Sequence, residues 1–321
     1  MIAMRRPSMQ QENLFLECWF LTGPTAAGKT TVGLELAQRL NAEVVSLDSM
    51  AIYRGMDLGT AKPTISQREK VPHHLIDIVQ PNQEYSLAQY VEAARACVTD
   101  LRGRGREVLF VGGTPLYLKS LLRGIFEGPP ADWELRGQLE AELEEVGLAA
   151  LHERLALVDP LSAAKLHPHD KRRIIRALEV FRLTGQPISH MQMQFDEGLP
   201  AERCKVFVLD WPRPLLHRRI EARVDRMFAD GLVDEVRSLL EQYGELSRTA
   251  SQAVGYREVI EHLAGGPSLE ETIEQVKVRT RQFARRQETW FRSLSECRPL
   301  PQHEEKAVGE IVEEILCSQT S

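Results

Sequence analysis

No run of about 18 apolar residues occurs in the 321-residue chain, so no segment reads as a membrane span. Nor is there a signal-peptide core. The stretch after Arg5 and Arg6 is broken by Gln10, Gln11, Glu12 and Asn13, and residues 1–13 read as a flexible tail. The five cysteines (Cys18, Cys97, Cys204, Cys297, Cys317) form no C-x-x-C pair, which argues against zinc and against a disulfide framework. That usage fits a reducing cytoplasm. His73-His74 lacks further ligands at helix or hairpin spacing and reads as polar loop rather than metal site. Positive charge is not in excess: 40 Lys and Arg against 46 Asp and Glu give a formal charge of -6. That balance counts against a nucleic-acid binder as a whole, yet it leaves local basic patches open. A guanine-reading Asn-Lys-x-Asp element is also missing, which argues against a GTPase switch.

What is present is centred on Trp19 to Thr31. A short apolar strand (Trp19, Phe20, Leu21) runs into Gly23-Pro24-Thr25-Ala26-Ala27-Gly28-Lys29-Thr30. A helix follows, with Val32, Leu34, Leu36, Ala37 and Leu40 toward its buried side. This is the phosphate-binding loop pattern, in which backbone N–H groups and a helix N-terminus cradle phosphate. Lys29 would bridge phosphate oxygens and the Thr30 hydroxyl would hold Mg2+. The loop alone does not say which phosphate ester it takes.

Downstream, Val44 to Leu47 reads as a second strand ending at Asp48-Ser49, where a doubly wound sheet collects its ligands. Asp48 could equally cap the following turn. Met50 to Pro63, with two glycines and a proline, reads as an irregular substrate loop rather than a crossover helix. Residues 86–102 carry helical spacing behind a Ser86 N-cap, and Val108 to Val111 reads as a buried parallel strand. That strand ends in Gly112-Gly113-Thr114, where a triphosphate hydrolase usually presents an acid. Val206 to Asp210 imitates such a strand, but Trp211-Pro212 follows and it reads as a structural strand end. From Gly128 to Pro200 the apolar spacing is helical throughout, with Leu135 to Val146, Leu148 to Leu155 and Lys171 to Leu183 as helices. The basic run Lys171-Arg172-Arg173, with Arg176, could face phosphate. A long helix from Ser268 to Leu294 aligns Arg281, Arg285 and Arg292 on one face. Such a stripe fits polyphosphate or RNA, although the arginine stems could serve packing alone.

The fold expected is α/β: a P-loop NTPase-like parallel sheet from residues 14–127 and 201–321, ending in helices, with a helical insertion at 128–200. These motifs together resemble bacterial tRNA dimethylallyltransferases, also called tRNA isopentenyltransferases. The resemblance rests on the 23–30 loop, Asp48-Ser49-Met50 with Tyr53-Arg54-Gly55-Met56-Asp57, Gly59-Thr60-Ala61-Lys62-Pro63 and Val111-Gly112-Gly113-Thr114. It continues through Arg176-Ala177-Leu178-Glu179-Val180, Val254-Gly255-Tyr256 and Arg286-Gln287-Glu288-Thr289-Trp290-Phe291-Arg292. Ala27 and Ala51 depart from residues frequent in the family, Ser and Gln. The resemblance implies transfer of a dimethylallyl group from its diphosphate to N6 of adenine 37 in tRNA. Asp48, Lys29, Thr30 and Thr114 would be catalytic, with Gly23 to Thr30 on the diphosphate and Mg2+ on Thr30. It places tRNA contacts at Asp48, Ser49, Met50 and Ala51, at Thr114 and Arg136, and at Arg172, Arg173, Ile174, Ile175 and Arg176. Gln252, Ala253, Val254, Gly255, Tyr256 and Arg257 complete that set, and Arg281 and Arg285 join it from the arginine stripe. The expected partners are the anticodon stem-loop and dimethylallyl diphosphate, with no membrane, for a monomer.

Three other readings compete. A small-molecule or nucleotide kinase would share the loop, whose motif equally fits ATP, but lacks the acidic strand end and a lid with paired arginines. An adenylate prenyltransferase would leave the basic C-terminal half idle. A non-catalytic, nucleotide-gated RNA-binding switch lacks the guanine-reading element.

Overall fold

The computed structural model describes residues 13–124, 128–192 and 197–318. Six strands, β1 (Trp19–Thr22), β2 (Ala42–Ser46), β3 (His73–His74), β4 (Glu107–Val111), β5 (Val206–Asp210) and β6 (Cys297–Pro301), form one sheet in the order β3-β2-β4-β1-β5-β6. Every neighbouring pair is parallel. The parallel α/β core is the one the sequence predicts.

The helices are α1 (Lys29–Leu40), α2 (Ile65–Lys70), α3 (Leu87–Gly103), α4 (Pro115–Arg123), α5 (Trp133–Val158), α6 (Pro160–Lys165), α7 (Lys171–Thr184), α8 (Ile188–Gln192), α9 (Arg213–Ala229), α10 (Leu232–Tyr243), α11 (Arg248–Ser251), α12 (Tyr256–Leu263), α13 (Leu269–Arg292) and α14 (Val308–Cys317). None among the described residues is long and apolar enough to cross a membrane.

The strands read as continuous apolar runs because both sheet faces are covered. Alternate residues go to opposite sides. Trp19 and Leu21 join Val32, Leu36, Ile220 and Val312 in one core, while Phe20 joins Tyr90, Val98, Phe110 and Leu118 in the other. Ser86 caps α3 in a capping box with Gln89, as its position predicts.

Four features were not anticipated. α4 follows directly after the Gly112-Gly113-Thr114 turn. β6 carries Pro299 and Pro301, which lack the N–H a central strand needs; at the sheet edge beside β5 that loss is tolerated. The expected tail lies outside the described residues except for Asn13. That residue is tied down: its Nδ2 donates to the carbonyls of Leu121 and Leu122, each at 2.8 Å. His73 and His74 form the short strand β3 itself, where His74 Nε2 lies 2.7 Å from Glu43 Oε2.

The chain divides into two compact units, one closing on itself from residues 1–122 and 199–321, the other from 123–198. The second is all-helical among its described residues. Its core gathers Leu139, Leu151, Leu155, Ile174 and Leu178, and α5 is broken at Gly147, whose φ of 82° no helix accommodates.

Candidate active site

β1 delivers the chain into the 23–28 loop and α1, whose first N–H groups have no intrahelical acceptor. Two side chains from beyond β5 hold the loop's carbonyls outward. Trp211 Nε1 donates to Ala27 O at 2.9 Å and Arg219 Nε to Ala26 O at 2.9 Å, with the Arg219 guanidinium 4.3 Å over the Trp211 ring. In a trans peptide the carbonyl and the next N–H oppose each other, so fixing Ala27 O outward turns Gly28 N–H inward.

Lys29 Nζ donates to the carbonyls of Gly23 (3.0 Å) and Pro24 (2.7 Å). Burial first, and then the charge of Arg223, lower its pKa to about 7 against an opposing pull from Asp48. Arg223, on α9, is itself lowered by burial and offset by Asp48, and its Nη2 reaches Thr60 O at 3.5 Å. Lys29 and Arg223 therefore share one buried neighbourhood, with the charge of Asp48 opposing the lowering of both. Sequence reading missed Arg223 and Arg219. Their signal is the one-turn spacing of the two arginines, interleaved with buried Leu216, Ile220 and Val224.

Asp48 follows the end of β2. Its Oδ1 accepts from Met50 N–H at 2.8 Å and Ala51 N–H at 3.4 Å, so the capping role is real. Only one carboxylate oxygen is used in this way. Across from it, Gly112 approaches so closely that a Cβ would lie 2.2 Å from Leu47 O. Thr114 N–H donates to Leu47 O (3.1 Å), and Thr114 Oγ1 accepts from Ser49 N–H (3.1 Å). Thr114 is thus a tie between two strand ends.

Several residues expected at the site are engaged by the protein itself. Thr25 N–H donates to Gln287 Oε1 at 2.9 Å. Tyr256 and Ala253 are buried, as is Ala51, which leaves Gln252 exposed and Arg257 half-buried and paired with Glu261 at 2.9 Å. Val254 packs half-buried against the core of the first unit, and Gly255 N–H donates to Glu258 Oε2. Arg281 is drawn to Glu221 at 2.5 Å and Arg292 lies 3.9 Å from Asp210, whereas Arg285 is exposed. The stripe is therefore not uniformly free, because α9 and the end of β5 supply acids that the helix's own sequence does not show.

Within the second unit, Ile174 and Ile175 point into the core and cannot present side chains to a ligand. Arg136 grips the buried Glu179 through two 3.0 Å bonds, and Arg176 reaches the same carboxylate at 2.6 Å. Burial would raise the Glu179 pKa, but these arginines and the Asp132 N–H outweigh it and hold it low. Arg172 and Arg173 remain exposed. Among the described residues no three His, Cys, Asp or Glu side chains group as a metal site.

The family described as IPP transferase matches residues 51–294. A tRNA dimethylallyltransferase of Rhodopirellula baltica is 52% identical over 306 residues, covering 93% of this chain and 92% of that protein. One from Geobacter metallireducens is 48% identical over 274 residues, 85% of this chain and 89% of that protein. The full-length tRNA isopentenylpyrophosphate transferase of Bacillus halodurans superimposes with a TM-score of 0.68 at 38% identity, covering 95% of this chain and 97% of that one. A eukaryotic dimethylallyltransferase acting on tRNA gives a TM-score of 0.72 at 27% identity, over 88% of this chain and 73% of that one.

Proposed function

The chain belongs to the IPP transferase family, and from that premise we propose that it moves a dimethylallyl group from dimethylallyl diphosphate to N6 of adenine 37 in tRNA. The observation that carries the reading is the convergence of the loop lysine, Lys29, on the Gly112-Gly113-Thr114 turn, which has no acid of its own and is tied through Thr114 to both neighbours of the strand-end acid Asp48.

The diphosphate is a leaving group here, not an energy source. As the allylic C–O bond breaks, its electron pair stays on the diphosphate. Lys29 leaves the Gly23 and Pro24 carbonyls for the growing charge, joined by Gly28 N–H, the α1 N-terminus and Arg223. One such preorganised donor typically contributes about 10²–10³ in rate. The adenine amine attacks the carbon, and the free oxygen of Asp48 accepts the proton released as the N–C bond forms. General-base help of this kind is worth about 10²–10⁴-fold. Taking the base from its stack costs a few kcal/mol, roughly.

Mg2+ fits this donor set in one way, because it dehydrates reluctantly and binds through one or two protein oxygens plus substrate phosphates. The Thr30 hydroxyl would hold it, and it would supply further neutralisation of the leaving charge. Arg172 and Arg173 of the second unit, and Arg285 and Gln252 of the first, are exposed side chains that would meet tRNA phosphates. A tRNA substrate puts the reaction in the cytoplasm.

The test is incubation of purified protein with labelled dimethylallyl diphosphate, Mg2+ and a tRNA carrying adenine at position 37, beside an ATPase assay. Label on that adenine without nucleotide is expected. Strict ATP dependence with phosphoryl transfer would install the kinase reading instead.

A further inference from the structure

Gln287 is a polar residue on the buried side of α13, 4% exposed, in line with Ala284, Glu288 and Phe291. An amide in such a place must find partners or lose stability. Its partners lie far away in sequence. Oε1 accepts from Thr25 N–H at 2.9 Å and Nε2 donates to Gly113 O at 2.6 Å. The orientation is dictated, because the loop N–H can only donate and the carbonyl can only accept. A neutral amide offers both groups on one side chain; an ionised carboxylate accepts only, and a methionine has no donor and only a weakly accepting sulfur.

The bridge lies between the two halves of the reaction. On one side is the phosphate loop. On the other, the turn that Gly113 begins is fastened to both neighbours of Asp48, through Thr114 to Leu47 O and Ser49 N–H. Thr22 Oγ1 fixes the base of the same turn by donating to Gly112 O at 2.8 Å. The approach is tight: a Cβ on Gly113 would lie 2.7 Å from Gln287 Nε2, 3.2 Å from Gly23 O and 3.4 Å from Lys29 Nζ. A methyl there would have to displace the Gln287 amide and crowd the Gly23 carbonyl.

We propose that Gln287 is a positioning residue that braces the diphosphate loop against the acceptor-side turn, setting the distance between the leaving diphosphate and the amine that Asp48 serves. This deepens the transferase reading and rests on it. Binding of either substrate alone needs only one side of the brace, whereas the transition state needs both sides in register. Its loss therefore slows the chemical step more than it weakens either substrate.

The experiment compares wild type, Q287M and Q287E in single-turnover transfer at saturating donor and tRNA, with inorganic diphosphate affinity measured separately. Q287M, close in length but without either hydrogen bond, is expected to lose about 10²-fold in saturated rate, the order that a misplacement of roughly 1 Å costs. Diphosphate affinity should stay within about threefold, since the loop N–H groups and Lys29 remain. A folded Q287M with a wild-type saturated rate, or a defect confined to KM, overturns the proposal. Hydrogen exchange reads the brace without activity. Q287M should expose Thr25 and Thr114 amides together, by about tenfold or more. Q287E, which keeps an acceptor for Thr25 but turns a carboxylate on the Gly113 carbonyl, should expose Thr114 alone, and it decides the matter if Q287M fails to fold. Unchanged Thr114 protection in both folded variants overturns the brace. If wild type transfers no prenyl group, the transferase reading fails by itself, and exchange still decides whether loop and turn are joined.

Discussion

Gly59 lies against Tyr256 so closely that a Cβ on it would sit 2.3 Å from Cε2 of the ring. The Tyr256 hydroxyl donates to Glu235 Oε1 at 2.5 Å, and Glu235 Oε2 accepts the N–H groups of Asp57 (3.1 Å) and Leu58 (2.8 Å). Just beyond, the buried Lys62 donates to Tyr53 O, Asp57 and Asp77. The segment between these anchors presents Thr60 O to Arg223. The irregular loop is therefore a fixed shelf behind the active-site arginine.

Gly59→Ala should displace the shelf. Forcing a methyl into so full a space typically costs about 1–3 kcal/mol, and transfer should fall with it as Arg223 loses its backing. Tyr256→Phe keeps the ring and removes one hydrogen bond, at a cost of about 1 kcal/mol. Its tRNA affinity should be unchanged, because the ring is buried within the protein. Thermal unfolding with tRNA binding checks both; a large affinity loss in a folded Tyr256→Phe protein would restore the residue to the tRNA interface.

Lys29 sets a pH dependence. Its pKa is lowered to about 7 in the free protein, by burial and then by Arg223. A bound diphosphate anion raises it again, so binding above that pH takes up a proton. Affinity should be flat below pH 7 and weaken above it by at most about tenfold per pH unit. Calorimetry in buffers of differing ionisation enthalpy measures the uptake directly. Arg223→Met should weaken diphosphate binding and shift the break upward, since the second-largest cause of the lowering is removed. The free protein carries the matching linkage: it is least stable with Lys29 buried and charged, and gains stability from pH 7 upward toward about 10.4 as only the unfolded chain holds the proton.

Asp48→Asn keeps an oxygen for the Met50 and Ala51 N–H groups, so the turn should remain folded. It removes the base, and single-turnover transfer should fall about 10²–10⁴-fold with both substrates still bound. A normal rate would reduce Asp48 to its cap.

Arg285 and Arg281 should separate on salt. Arg285→Ala, if the exposed side chain meets a tRNA phosphate, flattens the log–log salt dependence of binding by roughly 0.7–0.9. Arg281→Ala should instead leave the slope unaltered, because that guanidinium is already spent on Glu221.

Local pattern was enough for most of the elements, though not for α4 or β6. The Gly23-to-Thr30 loop, the apolar strands and the Ser86 cap are set by residues within a few positions of one another, and the parallel sheet follows from strands buried on both faces. The Gly112-Gly113-Thr114 turn was legible for the same reason, since two glycines imply a close approach whatever makes it.

Partners distant in sequence were not legible. Gln287 and Thr25 stand 262 positions apart, and Arg281 meets its acid 60 positions away. A helix read by itself shows arginine and glutamine as solvent-facing polar groups; the carboxylate or loop that claims them is chosen when α9 and α13 pack on the sheet. Tyr256 shows the same limit in reverse: it stands in the segment expected to contact tRNA, yet its ring is buried against Gly59. Sequence by itself determined that a glycine loop of the phosphate-binding pattern opens a helix at the end of β1 with an acid near it, because backbone curl, a helix N-terminus and strand-end placement are local consequences of residue type. Which side chains face that loop, and which are spent bracing it, only the tertiary structure decided, because a buried polar group takes whatever partner the packing brings within hydrogen-bond reach.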